Sequence, residues 1–197
     1  MGDGDIYLAC FDRELAPQFV RAFGGAGFIE GPLGMSVGPE LVFVVGQFNS
    51  EWAEPAITTE SVWDGFVTAW RRDDGELAWG HSLGSPVSRA TCVAADERGG
   101  AFVGGVVETA ELGGLPVEEA GGHDAFAARY RADGSVAWAA SGGGPNEDEA
   151  WAIAAGPDGL VAIAGYFGTS ATFGDDALAT PSPGSDAFVH VLRGLSE

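Results

Sequence analysis

Basic residues are scarce. Nine lysines and arginines stand against 29 aspartates and glutamates in 197 residues, a formal net charge of −20. A protein that grips a nucleic-acid backbone must offer positive charge to phosphates, so this composition excludes nucleic acid as a partner. The same surplus repels anionic membranes. No stretch approaches the roughly 18 apolar residues of a membrane helix, which excludes membrane insertion through one, and no basic segment leading into an apolar one opens the chain, so no signal peptide is visible. Cysteine is nearly absent. Cys10 and Cys92 cannot make a dense disulfide framework or a C-x-x-C metal pair, and both sit in apolar runs where small free thiols are expected.

Glycine and apolar residues are abundant. Thirty-two glycines spread over the length argue against long helices, while 46% hydrophobic and 11% aromatic residues are too much apolar material for an acidic disordered tail. An all-β fold of short strands and tight turns is expected.

The chain repeats itself. GDIYLACF from Gly4, WDGFVTAW from Trp63, HDAFAARY from His123 and SDAFVHVL from Ser185 share an aspartate, and these anchors, Asp5, Asp64, Asp124 and Asp186, recur at a nearly constant spacing. An aromatic follows each of the first three in the same phase, at Phe19, Trp79 and Trp138, and a glycine recurs at one fixed distance from each, at Gly46, Gly105 and Gly165. Three landmarks held in phase define a structural repeat of about 60 residues. Each period reads as four short strands. Asp74-Gly75 and Asp133-Gly134 turn between the first two, and Gly99-Gly100 and Asp158-Gly159 turn between the last two. Four strands in two hairpins with a variable excursion make a propeller-type blade. Residues 1–197 are therefore expected to be one domain of β-propeller-like repeats, four-stranded antiparallel blades numbering about three.

The best copy, EDEAWAIAAGPDGLVAIAGYFGTSATF from Glu147, runs on to DAFVHVL at Asp186, and RADGSVAWAASGG from Arg131 supplies a strand bearing Trp138. These units resemble the bacterial seven-bladed β-propeller repeat, the SBBP type, over nearly the whole chain, although the copy at Glu30 to Phe48 is degenerate. The resemblance implies a scaffold without a common catalytic residue and an extracellular or cell-envelope setting.

Blade arithmetic raises a closure problem. Counting from Glu30 gives two complete blades, the last two strands of a blade before them and the first three of another after them. Closed propellers have typically four to eight blades, so about three are expected to be completed by the rest of a longer propeller or by oligomerisation, with a homodimer closing the ring, the remaining alternative being an open or differently closed monomer.

Candidate chemistry is thin. His81, His123 and His190 occupy three different repeat positions, which does not suit a ring of equivalent metal ligands, and no catalytic triad, phosphate-binding loop or zinc motif is present. The reading is a non-enzyme with no catalytic residue and no cofactor. The repeat aspartates are expected to accept hydrogen bonds from turn amides. The rival for them is calcium, with Gly2 to Asp5 and Asn146 to Glu149 adding oxygens. Trp79 and Trp138 read as packing between blades. Trp52, Trp63, Trp70 and Trp151 fall outside the repeated aromatic position, so they are the candidate binding surface, for a protein or glycan partner. The variable excursions, residues 48–63, 107–123 and 167–185, read as solvated surface linkers within each blade and are the default candidates for binding loops if a partner binds. The leading function is a non-catalytic propeller scaffold or protein-binding module. Calcium- or carbohydrate-linked recognition comes second, and a hydrolase or lyase site in the axial mouth third.

Overall fold

A computed structural model describes residues 5–26, 30–52, 56–59, 63–109, 111–180 and 184–193. The chain is all-β, and its strands follow the period read from the sequence. A hairpin of β1 (Ile6–Phe11) and β2 (Pro17–Phe23) comes first. Next is a four-stranded antiparallel sheet of β3 (Glu30–Val37), β4 (Leu41–Phe48), β5 (Asp64–Arg71) and β6 (Leu77–Ser82), in that order. A second repeats the order with β7 (Ser88–Ala95), β8 (Ala101–Val107), β11 (Asp124–Tyr130) and β12 (Val136–Gly142). Its excursion between β8 and β11 holds a small hairpin, β9 (Glu111–Leu112) and β10 (Leu115–Pro116). The last sheet has three strands, β13 (Glu149–Ala155), β14 (Val161–Gly168) and β17 (Ser185–Leu192), and carries the hairpin β15 (Ser170–Phe173) and β16 (Asp176–Ala179). No closed ring or barrel forms among the described residues.

The recurring glycine has a steric cause. In each sheet the first strand carries a bulge, with Leu33, Thr91 and Trp151 as the extra residue opposite the second strand. The bulge pushes a carbonyl towards the facing strand. A Cβ at Gly46, Gly105 or Gly165 would lie 2.0, 1.9 and 1.9 Å from the carbonyl oxygens of Gly31, Arg89 and Glu149. The third strand places a phenylalanine opposite each glycine, Phe66, Phe126 and Phe188. Two of these rings, Phe66 and Phe126, lie over the space that the missing side chain leaves.

Successive sheets stack face to face, and their first strands β3, β7 and β13 run side by side. The core lies between sheets, in three layers. Ile6, Leu8 and Phe23 pack against Val42, Val44, Phe66 and Trp70. Val45 and Val67 pack with Val103, Phe126 and Tyr130, and Ala125, Ala127 and Trp138 with Ile163, Phe173 and Phe188. Trp79 stacks on Tyr130 and donates its indole N–H to the Ala132 carbonyl at 2.9 Å, so the repeated aromatic ties this fourth strand to the next sheet. The degenerate copy at Glu30 to Phe48 forms the same hairpin, with a shorter turn closed by the Gly38 N–H donating to the Leu41 carbonyl at 2.8 Å.

The excursions differ from the solvated surface linkers expected. Residues 48–63 bury Trp52 and Ile57, residues 107–123 bury Leu112, and residues 167–185 bury Ala171 and Phe173. Each inserts apolar side chains into an inter-sheet layer. The expectation that Trp52, Trp63, Trp70 and Trp151 form one surface also needs correction. Trp52 and Trp70 lie in the first core layer around Phe23, where the two-stranded hairpin leaves more space to fill than a four-stranded sheet would. Trp63 is half-buried, and only Trp151 is exposed, at 64%.

Candidate functional site

Three features offer chemistry: the polar joints between sheets, the mouth formed by the first strands, and the two terminal sheet faces.

The joints are built on the repeat aspartates. Asp64 is buried and accepts from the Gly84 N–H at 3.2 Å and from the Ser88 hydroxyl at 2.8 Å, and Ser88 in turn accepts from the Gly65 N–H at 2.8 Å. The third strand of one sheet is thereby fixed to the first strand of the next. Burial pushes the Asp64 carboxyl above its ordinary range, and these hydrogen bonds hold it back. One repeat later Asp148 replaces Ser88. Asp148 is buried and accepts from the Gly144 N–H at 2.8 Å and the Gly168 N–H at 3.0 Å. Asp124 accepts from the Ala120 N–H at 2.9 Å, while its buried Oδ1 has no hydrogen-bond partner. A Cβ on Gly143 would stand 2.1 Å from Asp124 Oδ1 and 2.8 Å from Asp148 Oδ2, so the two carboxyls face each other across a glycine. Burial first, then the charges of Asp124 and Glu147, push Asp148 up to about 6. The outer anchors differ: Asp186 is exposed and Asp5 is half-buried.

The side chains of Asn146 to Glu149 each have a partner within the fold. Asn146 donates to Thr169 Oγ1, Glu147 contacts His123, Asp148 accepts two backbone N–H groups, and Glu149 receives Arg89 at 3.0 Å. Among the described residues no group of three or more His, Cys, Asp or Glu is arranged to hold a metal. Gly2 to Gly4 lie outside the described residues.

The mouth is lined by the bulge residues Leu33, Thr91 and Trp151 with Gln47, Arg89 and Glu149, around a shallow cavity of about 410 Å³. The bulges are why these side chains converge, since each turns one extra residue out of the ladder at the same height. Trp151 stands edge-on to Tyr166 with ring centroids 5.5 Å apart. The Thr91 hydroxyl donates to the Ala150 carbonyl, joining neighbouring first strands. Strand periodicity alone does not reveal the bulges, which is why Trp151 reads from sequence as one of four unrelated tryptophans.

The terminal faces are apolar and exposed. Counting from the anchor aspartates, Val189 is the equivalent of Leu8, Val67 and Ala127, and Tyr7 is the equivalent of Phe66, Phe126 and Phe188. Val189 is 74% exposed where Val67 is 0%, and Tyr7 is 67% exposed where Phe66 is 0%. Phe11 and Val20 extend the first face, and Val191 the last.

No protein-family model matches the chain, and no curated protein matches it.

Proposed function

We propose that this chain is a non-catalytic β-propeller-type scaffold of the SBBP kind, and that it works by binding polypeptide through its terminal sheet faces. One observation carries the reading. Tyr7 and Val189 occupy positions that are buried in every internal inter-sheet layer, yet at the two ends they are exposed, with Phe11 and Val20 beside the first and Val191 beside the second. Exposed apolar faces of this extent mark interaction surfaces. The buried aspartates serve the same purpose, since Asp64 binds the next sheet through Ser88.

The test is a photo-activated cross-linker placed at Val189 or, separately, at Glu97 in the exposed β7–β8 turn. The Val189 probe is expected to link to polypeptide, and the Glu97 probe is expected not to. Equal labelling from both positions, or none from Val189, defeats the proposal.

The mouth supports a second reading, recognition of a neutral saccharide. An exposed indole beside Gln47, Arg89 and Glu149 offers a stacking platform with hydrogen-bonding groups at its edge. Titration with a neutral hexose oligosaccharide should quench tryptophan emission in the wild type and leave Trp151→Ala unchanged; no quenching in the wild type removes this reading.

A further inference from the structure

The ends of the sheet stack present the two halves of an interface that the chain makes three times internally. In each layer one sheet offers small or aliphatic side chains at the first and third positions after its anchor aspartate, and the next sheet offers large ones at the second and sixth. Val67 meets the layer of Phe126 and Tyr130, and Leu8 meets that of Phe66 and Trp70. Ala127 shares its layer with Phe188. The last sheet offers the small set, Ala187 and Val189, extended by Val191, and the first hairpin offers the large set, Tyr7 and Phe11.

We propose that a second copy of the chain docks head to tail, seating its Tyr7–Ala9–Phe11 face on the Ala187–Val189–Val191 face. The inference rests on the scaffold reading and names its partner. Three features select a second copy over another occupant. The two faces are complementary in side-chain size, and they continue the stacking already established inside the chain. The cross-strand neighbours of their apolar residues are also uncharged, with charge met only further along, at Asp5 and Arg193: Ala152, Ala154, Ala162 and Ala164 lie beside Val189 and Val191 in register, and Ala22 and Val20 lie beside Tyr7 and Ala9. For a chain of net charge −20 this matters, because only uncharged faces let two copies approach without pressing like charges together. The contact joins different surfaces, so two copies close a ring if the rotation allows and a longer assembly grows if it does not.

Light scattering over a concentration series tests this. The wild type should reach twice the chain mass of 20.2 kDa or a higher multiple, and Val189→Glu and Tyr7→Glu should each return it to the mass of one chain. Both positions are exposed in the single chain, and an unchanged far-ultraviolet circular dichroism spectrum certifies the fold of each variant. In a Cys10→Ser background, Val189→Cys chains mixed with Tyr7→Cys chains should form an inter-chain disulfide that neither forms alone. A wild type that keeps the mass of one chain at every concentration, or equally efficient cross-linking by Val189→Cys alone, overturns the inference. A monomeric mass with a Val189 photo-cross-link to a different polypeptide overturns the second copy and leaves the scaffold reading standing. A monomer with no such cross-link overturns both.

Discussion

Asp148 gives the sharpest pH prediction. In the first joint a serine hydroxyl donates to the anchor carboxylate, Ser88 to Asp64 at 2.8 Å. In the second joint the same structural position holds a carboxyl, and Asp124 Oδ1 waits there without a donor. A protonated Asp148 supplies that donor and reproduces the serine; an ionised one sets two buried negative charges side by side. Glu119 and Glu147 add negative charge around the pair, and His123 opposes it. With Asp148 held near 6 against an ordinary 3.8, the folded state binds more protons than the unfolded state between these values. The stability from this joint is therefore complete below about pH 4 and lost as pH rises through about 6. Two units correspond to about 3 kcal/mol, and residual water access lowers this to about 2 kcal/mol. For a chain of this size that is a fall of roughly 4–8 °C in Tm.

The assay is thermal or urea unfolding from pH 4 to 8 for wild type, Asp148→Asn and Asp148→Ser. Comparing variants removes the general repulsion of an acidic chain. Both substitutions keep a donor for Asp124 at every pH, so each carries a fixed cost for altered acceptors but no titration at position 148. The stability gap between wild type and either variant should shift by about 2 kcal/mol across pH 4–7, in the direction that disfavours wild type at higher pH. Parallel pH profiles for wild type and Asp148→Asn would refute the shared-proton joint. The exposed Asp74 and Asp133, held below the usual carboxylate range by Arg71 and by Ser135, lose stability as pH falls, so their contribution has the opposite sign and lies at lower pH.

Three further outcomes can be measured. Asp96→Ala should cost about 3–5 kcal/mol in urea unfolding, because it removes the carboxylate that faces the buried Arg129 guanidinium, whose Nε donates to Asp96 at 2.8 Å; a loss under about 1 kcal/mol would show that this pair is well hydrated. Gly105→Ala should destabilise by about 2 kcal/mol or more, since its Cβ would meet the Arg89 carbonyl oxygen at 1.9 Å, whereas alanine at Gly31, which has open space around it, should cost about 1 kcal/mol or less. Cys92, buried and with its thiol pushed up to about 11 by burial, should resist a thiol reagent in the native state while half-buried Cys10 reacts, as timed labelling with mass spectrometry would show.

What the sequence disclosed depended on the range of each constraint. Gly46, Gly105 and Gly165 answer to a carbonyl fixed by the local bulge, and Gly75, Gly99, Gly134 and Gly159 answer to turns of positive φ. Such constraints act within one hairpin, so they recur with the hairpin and set the strand order. Partnerships between sheets leave a weaker trace. Trp52 looks exceptional because sister repeats lack it, yet it packs in the layer beside the two-stranded hairpin, while Trp70 stands at the sixth position after its anchor, where Phe11 and Tyr130 stand in sister copies. The excursion hairpins were legible in part: Gly113-Gly114 between Leu112 and Leu115 is a two-residue turn signal, though only the stack reveals that Leu112 is buried.

The two joints show why the repeat both simplifies and obscures the site. One architecture places a polar side chain at the start of the next first strand beside each internal anchor aspartate, so Ser88 and Asp148 occupy the same structural slot although their chemistry differs. Self-alignment keyed on the shared aspartates makes that slot look incidental, because its residue changes from copy to copy. The same comparison, extended to the ends, explains Asp186 and Val189: both are exposed because no further sheet among the described residues follows to meet them. Among the described residues, then, an anchor and an apolar strand stand unmatched at one end of the stack and an aromatic face stands unmatched at the other.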